Sequence, residues 1–281
     1  MEVALLSGGT GGAKLARGLV DVVGGQSLAV IANTGDDSEV YGAHVSPDPD
    51  LVSYWLADVI DERGYGIAGD SWQVMDALAA AGRDTWFRLG DTDLAMCLIR
   101  TELMAAGHSA TAAHAAVVEA LGLDTHVLPA TDQPVRTYVT ARGAAFSFQE
   151  FMILEGARGP IENVEFRGAE HATPSRQALD ALREANCVVI GPSNPIASIA
   201  PMLAVPGMRG ALREAPGPVV AVSPFVGGRV LKGPTLAFCE WAGIEPTAAG
   251  LLDAYAGLLD GIVADEPVAG VPTLQTDVLM D

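Results

Sequence analysis

Short apolar runs and helical stripes alternate along the chain. Val3-Ala4-Leu5-Leu6 reads as a buried strand, and Ser7-Gly8-Gly9-Thr10-Gly11-Gly12 follows with no bulky side chain. Ala13 to Val20 then carries apolar residues at helical spacing. A second strand, Leu28-Ala29-Val30-Ile31, runs into the polar loop Ala32-Asn33-Thr34-Gly35-Asp36-Asp37. Strand, helix and strand at this spacing make a βαβ unit with parallel strands and a right-handed crossover. From Ser46 to about Leu121 the pattern is helical. Asp48 and Pro49 are expected as N-cap and first helical residue. Ser71, Asp91 and Ser109 are expected to start three further helices.

Strands return at Thr125 to Leu128. Val135 to Thr140 and Ala144 to Phe148 flank Ala141-Arg142-Gly143, which predicts a hairpin. A strand over Ile161 to Arg167 and a helix over Pro174 to Ala185 follow. Cys187 to Ile190 is fully apolar, as a central parallel strand should be, and opens into Gly191-Pro192-Ser193-Asn194-Pro195. Pro218 to Pro224 is another buried strand, and the chain ends with a helix from Thr247 and strands near Ile262 and Thr273. The expected fold is α/β: a Rossmann-like, mainly parallel sheet flanked by helices, with a helical insertion and a small β-hairpin. Residues 1–45 with 122–281 would form the core, and residues 46–121 the insertion.

Composition changes this picture in two ways. Hydrophobic residues at 49% and charged residues at 18% describe a globular chain, not a disordered one. The net charge of −19 argues against a nucleic-acid partner, because phosphate backbones demand a basic face. No apolar run is long enough to span a bilayer, and the N-terminus lacks a basic segment and cleavage signal. A cytoplasmic location is therefore expected. Cys97, Cys187 and Cys239 are scattered, fit no zinc or disulfide pattern, and are expected to be buried structural thiols. The five histidines show no metal-binding spacing and are expected to be structural or exposed.

Strand, glycine turn and helix start together form a phosphate-binding device, since backbone N–H groups and the helix N-terminus favour an anion. Two familiar fingerprints fit poorly. In a dinucleotide loop the third glycine is replaced by Lys14, and Asn33 stands where an acidic residue should hold a ribose. A Walker loop needs Gly-Lys-Ser/Thr, whereas the chain reads Gly12-Ala13-Lys14-Leu15. A phosphate-binding βα turn of another lineage remains. Only Lys14 and Lys232 are lysines, and each sits by a glycine turn, so each is a candidate phosphate ligand. Ser193 and Asn194 follow the most apolar strand and are candidates for the same ligand. Asp36, Asp37, Asp48 and Asp50 share the rim at the strand ends, where carboxylates suit a divalent cation or a polar acceptor.

Taken together, these stretches resemble one family, the 2-phospho-L-lactate transferases (CofD/FbiA) of coenzyme F420 biosynthesis. The resemblance runs through Ser7 to Gly11, Asn33 to Asp37, Ser46 to Asp50, Leu89 to Asp93, Leu128 to Asp132, Gly191 to Ile199, Val222 to Pro224 and Lys232 to Pro234. It implies a donor of guanosine diphosphate linked to an organic acid, lactyl- or enolpyruvyl-diphosphoguanosine. The acceptor would be the deazaflavin alcohol Fo, whose ribityl hydroxyl attacks the phosphorus bearing the acid and displaces GMP. It further implies phosphate and nucleotide contacts at Gly9, Thr10, Gly11, Ser193 and Asn194, and Mg²⁺ with Asp36, Asp37 and Asp48 as metal candidates. Asp50 and Arg88 would contact Fo, Asp50 and Asp48 would be catalytic, and the insertion would cover the acceptor. Asp50→Ala is expected to remove transfer in a protein that stays folded. A homodimer is expected. Thr92 and Met96-Cys97 depart from the family pattern beside Arg88. The rival readings are a YvcK-like nucleotide-sugar-binding regulator without transferase activity and an NAD-dependent oxidoreductase.

Overall fold

The computed structural model describes residues 1–230 and 233–280, so Lys232 lies outside the described residues. In chain order the elements begin β1 (Val3–Ser7), α1 (Gly9–Val23), β2 (Leu28–Ala32), β3 (Ser38–Val40), β4 (Ala43–Val45) and α2 (Pro47–Leu56). They continue α3 (Gln73–Ala80), α4 (Asp91–Ala105), α5 (Ala110–Ala120), β5 (His126–Pro129), β6 (Arg136–Ala141), β7 (Ala144–Ser147), α6 (Phe148–Ile153) and β8 (Ile161–Arg167). Then come α7 (Arg176–Glu184), β9 (Cys187–Ile190), α8 (Ala200–Ala204), α9 (Met208–Arg213), β10 (Val219–Val222), β11 (Phe225–Val226) and β12 (Arg229–Val230). The chain closes with α10 (Thr235–Ala242), α11 (Ala248–Ala254), β13 (Gly261–Ala264) and β14 (Thr273–Gln275).

Seven strands form one sheet in the order β14-β13-β10-β9-β1-β2-β5, and every neighbouring pair is parallel. All five residues of β1 and of β2 are buried, because helices cover both faces. Val3 and Leu5 pack with Ala13 and Ala16 of α1 and Val52 and Leu56 of α2. Ala4 and Leu6 face the other way, into a cluster with Leu182, Met202, Leu212 and Leu251. Alternation along one strand thus serves two helical layers.

Chain direction sets the ligand crevice. From β1 the chain moves to β2 and β5 on one side, then returns to build β9, β10, β13 and β14 on the other. The order reverses between β1 and β9, so the crevice lies at their carboxyl ends. The glycine turn and the Gly191–Asn194 loop flank that point.

The expected hairpin is present. β6 and β7 pair antiparallel, with Arg142 and Gly143 at φ 53° and 72°, the positive pair that a tight two-residue turn needs. β8 joins β6 on its other side as a third strand. A second hairpin, β3–β4, turns through Tyr41 and Gly42 at φ 54° and 81° and was not foreseen. Its Val40, Ala43 and Val45 pack against Met75, Leu89, Leu94 and Cys97. The apolar clusters therefore cut across the boundary expected at residue 46. α2 belongs to the layer beside α1, while the hairpin belongs with α3 and α4.

Two helix starts also differ from expectation. Ser46 is the N-cap of α2 and Pro47 its first residue, so Asp48 falls inside the first turn with its carboxylate free to reach elsewhere. Asp91 begins α4 but caps α3, accepting from the Gln73 and Val74 N–H groups. Asp70 returns the exchange by accepting from Thr92 and Asp93 at the start of α4.

Candidate active site

Hydrogen bonds tie three loops together at the crevice. Gly8 N–H donates to Ser193 Oγ at 3.1 Å, and Gly9 N–H donates to Asp48 Oδ1 at 2.6 Å. Asn33 Nδ2 donates to the other Asp48 oxygen at 2.9 Å, and Asn33 Oδ1 accepts from Gly35 N–H at 2.9 Å. Asn33, which spoils the dinucleotide fingerprint, is here the link between the second strand and α2.

The glycines are explained by close packing as much as by anion access. A side-chain carbon on Gly11 would stand 2.2 Å from the Pro192 carbonyl oxygen, and one on Gly12 would stand 2.3 Å from Ser7 Oγ. Gly9 has φ +67°, a backbone that favours glycine. The first N–H groups of a helix have no partner within it. Among the described residues no side chain accepts from Thr10 or Gly11 N–H, so these two amides, with the α1 dipole, offer a seat for an anion.

Ser193 and Asn194 stand beside the seat as supports. Ser193 holds the Gly8 amide, and Asn194 Oδ1 accepts from Ile196 and Ala197 N–H as the cap of the turn at Pro195–Ile199. Lys14 is engaged away from the turn. Its Nζ donates to the Met280 carbonyl at 3.1 Å and lies 5.6 Å from the Trp55 ring centre.

Asp36, Asp37 and Asp48 are all buried. Burial pushes the Asp36 carboxyl well up, and the Asp48 and Asp37 charges add to it. Asp48 is raised too, mainly by burial, although bonds from Asn33 and Gly9 pull it down. Asp36 Oδ2 accepts from Gln149 Nε2 at 3.2 Å, while Asp36 Oδ1 has no partner among the described residues. Asp37 is already committed: it accepts from Ser46 Oγ at 2.7 Å, meets His44 Nε2 at 3.2 Å and faces Arg136 at 4.0 Å. Burial opposes charge on His44, but Asp37 and Glu39 outweigh it and the imidazole shifts upward. A divalent cation fits Asp36 and Asp48, where an orphaned oxygen and mutual repulsion both ask for positive charge. The three aspartates do not close a ligand set of their own. This suits Mg²⁺, which uses one or two carboxylates and takes further oxygens from phosphate and water.

Among the described residues, the grouping of three possible ligand atoms within 4.8 Å is Asp50, Asp93 and Cys97. Its positive charge is already supplied. Arg100 Nη1 and Nη2 donate to Asp50 Oδ1 and Oδ2 at 2.6 and 2.7 Å, and the guanidinium is 1% exposed. Arg100 also donates to the His44 carbonyl. Tyr54 hydroxyl donates to Asp93 at 2.8 Å, and burial lifts Asp93 to about 7, with help from Asp50. His114, wholly buried beside this pair, is pushed down to about 4 by burial.

Asp50 and Arg88, each expected to contact Fo, have different protein partners. Arg88 is 55% exposed, pairs with Asp76 at 3.3 Å and lies 4.9 Å from the Trp72 ring centre. Arg100 takes Asp50 instead. Neither His44 nor His114 was expected in the site, and Arg100 was missed altogether. Thr92 is exposed, whereas Cys97 belongs both to the apolar cluster behind the hairpin and to the Asp50–Asp93 grouping. Cys97 and Cys239 are buried and Cys187 is half-buried; burial pushes all three thiols up, away from reactivity.

The family model for 2-phospho-L-lactate transferase CofD matches residues 3–269. The chain belongs to the CofD family. This CofD chain is 38% identical over 290 residues to the 2-phospho-L-lactate transferase of Methanopyrus kandleri, covering 100% of this chain and 92% of that protein. It is 38% identical to the phosphoenolpyruvate transferase of Streptomyces coelicolor, covering 94% of this chain and 85% of the other. A crystal structure of a Bacillus halodurans protein of the UPF0052 family matches with a TM-score of 0.60, covering 98% of this chain and 92% of that one. At 18% identity that likeness concerns the fold alone. The chain is a transferase of the 2-phospho-L-lactate transferase type; the regulator and oxidoreductase readings are not favoured. No helix among the described residues is long and apolar enough to cross a membrane.

Proposed function

We propose that this CofD protein moves a phospho-organic acid from its guanosine-diphosphate-linked donor to the ribityl hydroxyl of the deazaflavin Fo. GMP is released and a phosphodiester is formed, yielding coenzyme F420-0 or its dehydro form. The observation that carries this reading is the anion seat at Thr10 and Gly11, joined by Asp48 to the buried carboxylates at the strand ends. Phosphoryl transfer asks for positioning and charge neutralisation, with no covalent nucleophile required.

In this reading the Thr10 and Gly11 amides and the α1 N-terminus hold the donor's diphosphate. Ser193 and Asn194 fix the loop behind it. Asp36 and Asp48 would hold Mg²⁺, which when bound neutralises charge on the diphosphate. Asp48 stands nearest the seat and orients the incoming hydroxyl, accepting its proton as the new bond forms. Asp50 is a positioning residue: its pair with Arg100 anchors the first turn of α2, which carries Asp48. Arg88 over Trp72 offers a cation and an aromatic face to the acceptor. A homodimer and a cytoplasmic location belong to the same reading.

Calorimetric titration tests the cation's part. GDP is expected to bind at least about tenfold more tightly with Mg²⁺ than in EDTA, and guanosine to show no such gain. Equal GDP affinity in EDTA, with full turnover there, would remove the cation from the account.

A further inference from the structure

Two buried oxygens without partners among the described residues stand near Gly35. One is Asp36 Oδ1 and the other is Thr137 Oγ1. Thr137 is 1% exposed, and its hydroxyl lies 2.8 Å from where a side-chain carbon on Gly35 would sit. The start of β6 is docked on this loop, since Thr137 N–H donates to the Gly35 carbonyl. An unpartnered buried hydroxyl is costly, and buried polar atoms in folded chains normally find partners.

Arg136 precedes Thr137 and is partly exposed. Its Nη1 donates to the Val135 carbonyl at 2.9 Å and lies 4.0 Å from Asp37. Among the described residues its Nε and Nη2 donate to no protein acceptor. In a chain of net charge −19, a guanidinium with open donors beside Asp37 is a local exception. Asp48 joins Gly9 to Asn33, and Asn33 holds Gly35, so Thr137 and Arg136 lie one loop beyond the anion seat.

We propose that Arg136 and Thr137 bind the carboxylate of the organic acid carried by the donor. The assignment rests on the donor proposed above. With the diphosphate on Thr10 and Gly11, the acid attached to the outer phosphate extends to the Asp36 side. There the Thr137 hydroxyl gains the acceptor it lacks, and Arg136 supplies the counter-charge. GMP, which lacks the acid, makes no use of either residue.

Kinetics of Thr137→Val and Arg136→Gln with the lactyl- and enolpyruvyl-diphosphoguanosine donors test this. Each variant is expected to raise donor KM by about tenfold or more, the scale of a lost hydrogen bond to a charged group. Inhibition by GMP should stay unchanged, Thr137→Ser should keep normal KM, and Thr137→Val should melt no lower than the parent. Arg136→Gln carries the test if Thr137→Val does not fold. Donor KM within twofold of the parent in both variants would overturn this assignment alone, as would GMP affinity falling in step with donor affinity. A parent protein that binds neither donor nor GMP would overturn it together with the transferase reading.

Discussion

Replacing Asp48 by asparagine is expected to lower the transfer rate by about 100- to 1000-fold in a protein that remains folded. The magnitude is that of removing one preorganised charge-handling group from a dry site. Asp48 is the residue on which the site converges: it accepts from Gly9 in the phosphate turn and from Asn33 at the end of β2. Asparagine keeps the acceptor for Gly9 but loses the bond from Asn33 Nδ2, and it cannot share a cation or take a proton. The same change removes one of three mutually repelling buried carboxylates. That relief offsets the lost Asn33 bond, so without metal the variant should melt close to the parent's temperature. Turnover within tenfold of the parent would show that Asp48 is a structural link only.

Replacing Arg100 by methionine should cost about 3–5 kcal/mol of stability, because it leaves Asp50 charged, buried and alone. For a chain of this size that amounts to a drop of roughly 6–20 °C in Tm. Asp50→Ala should destabilise for the mirror-image reason, so loss of activity in that variant would not by itself identify a catalytic group. This predicted cost departs from the expectation that Asp50→Ala leaves the fold untouched. A double variant, Asp50→Leu with Arg100→Met, should regain most of the loss, since a buried ion pair replaced by apolar side chains is often tolerated. Arg88→Met supplies the contrast, with an expected cost below about 1 kcal/mol for an exposed pair. Equal losses in Arg88→Met and Arg100→Met would contradict the assignment of Arg100 as the partner of Asp50.

The βαβ start, the apolar central strands and the β6–β7 hairpin were legible because their periodicity and turn residues act locally. The β3–β4 hairpin was not. Its strands are three residues each, too short for alternation to register, and its Tyr41–Gly42 turn is held by packing on α3 and α4. Asp48 looked like a cap because Pro49 follows it, yet Pro47 serves equally well as a first helical residue, and the fold uses Pro47. Arg100 lies mid-helix with no motif around it, and only the packing of α4 against β4, next to the start of α2, brings it to Asp50. His44 and His114 were invisible for the same reason: their neighbours come from other segments of the chain. Lys14 had the right residue type in the right stretch, but helix geometry turns it towards Trp55 and Met280.

The central claim is that the crevice between β1 and β9 carries a phosphoryl transfer from a guanosine-diphosphate-linked acid to Fo. The most direct measurement is mass spectrometry of a reaction containing the protein, Mg²⁺, Fo and the lactyl- or enolpyruvyl-diphosphoguanosine donor. The account predicts GMP and the Fo phosphodiester in equal amounts with at least one donor, and neither product with Asp48→Asn over the same time. Release of GMP without the phosphodiester, or no turnover of either donor, would contradict it.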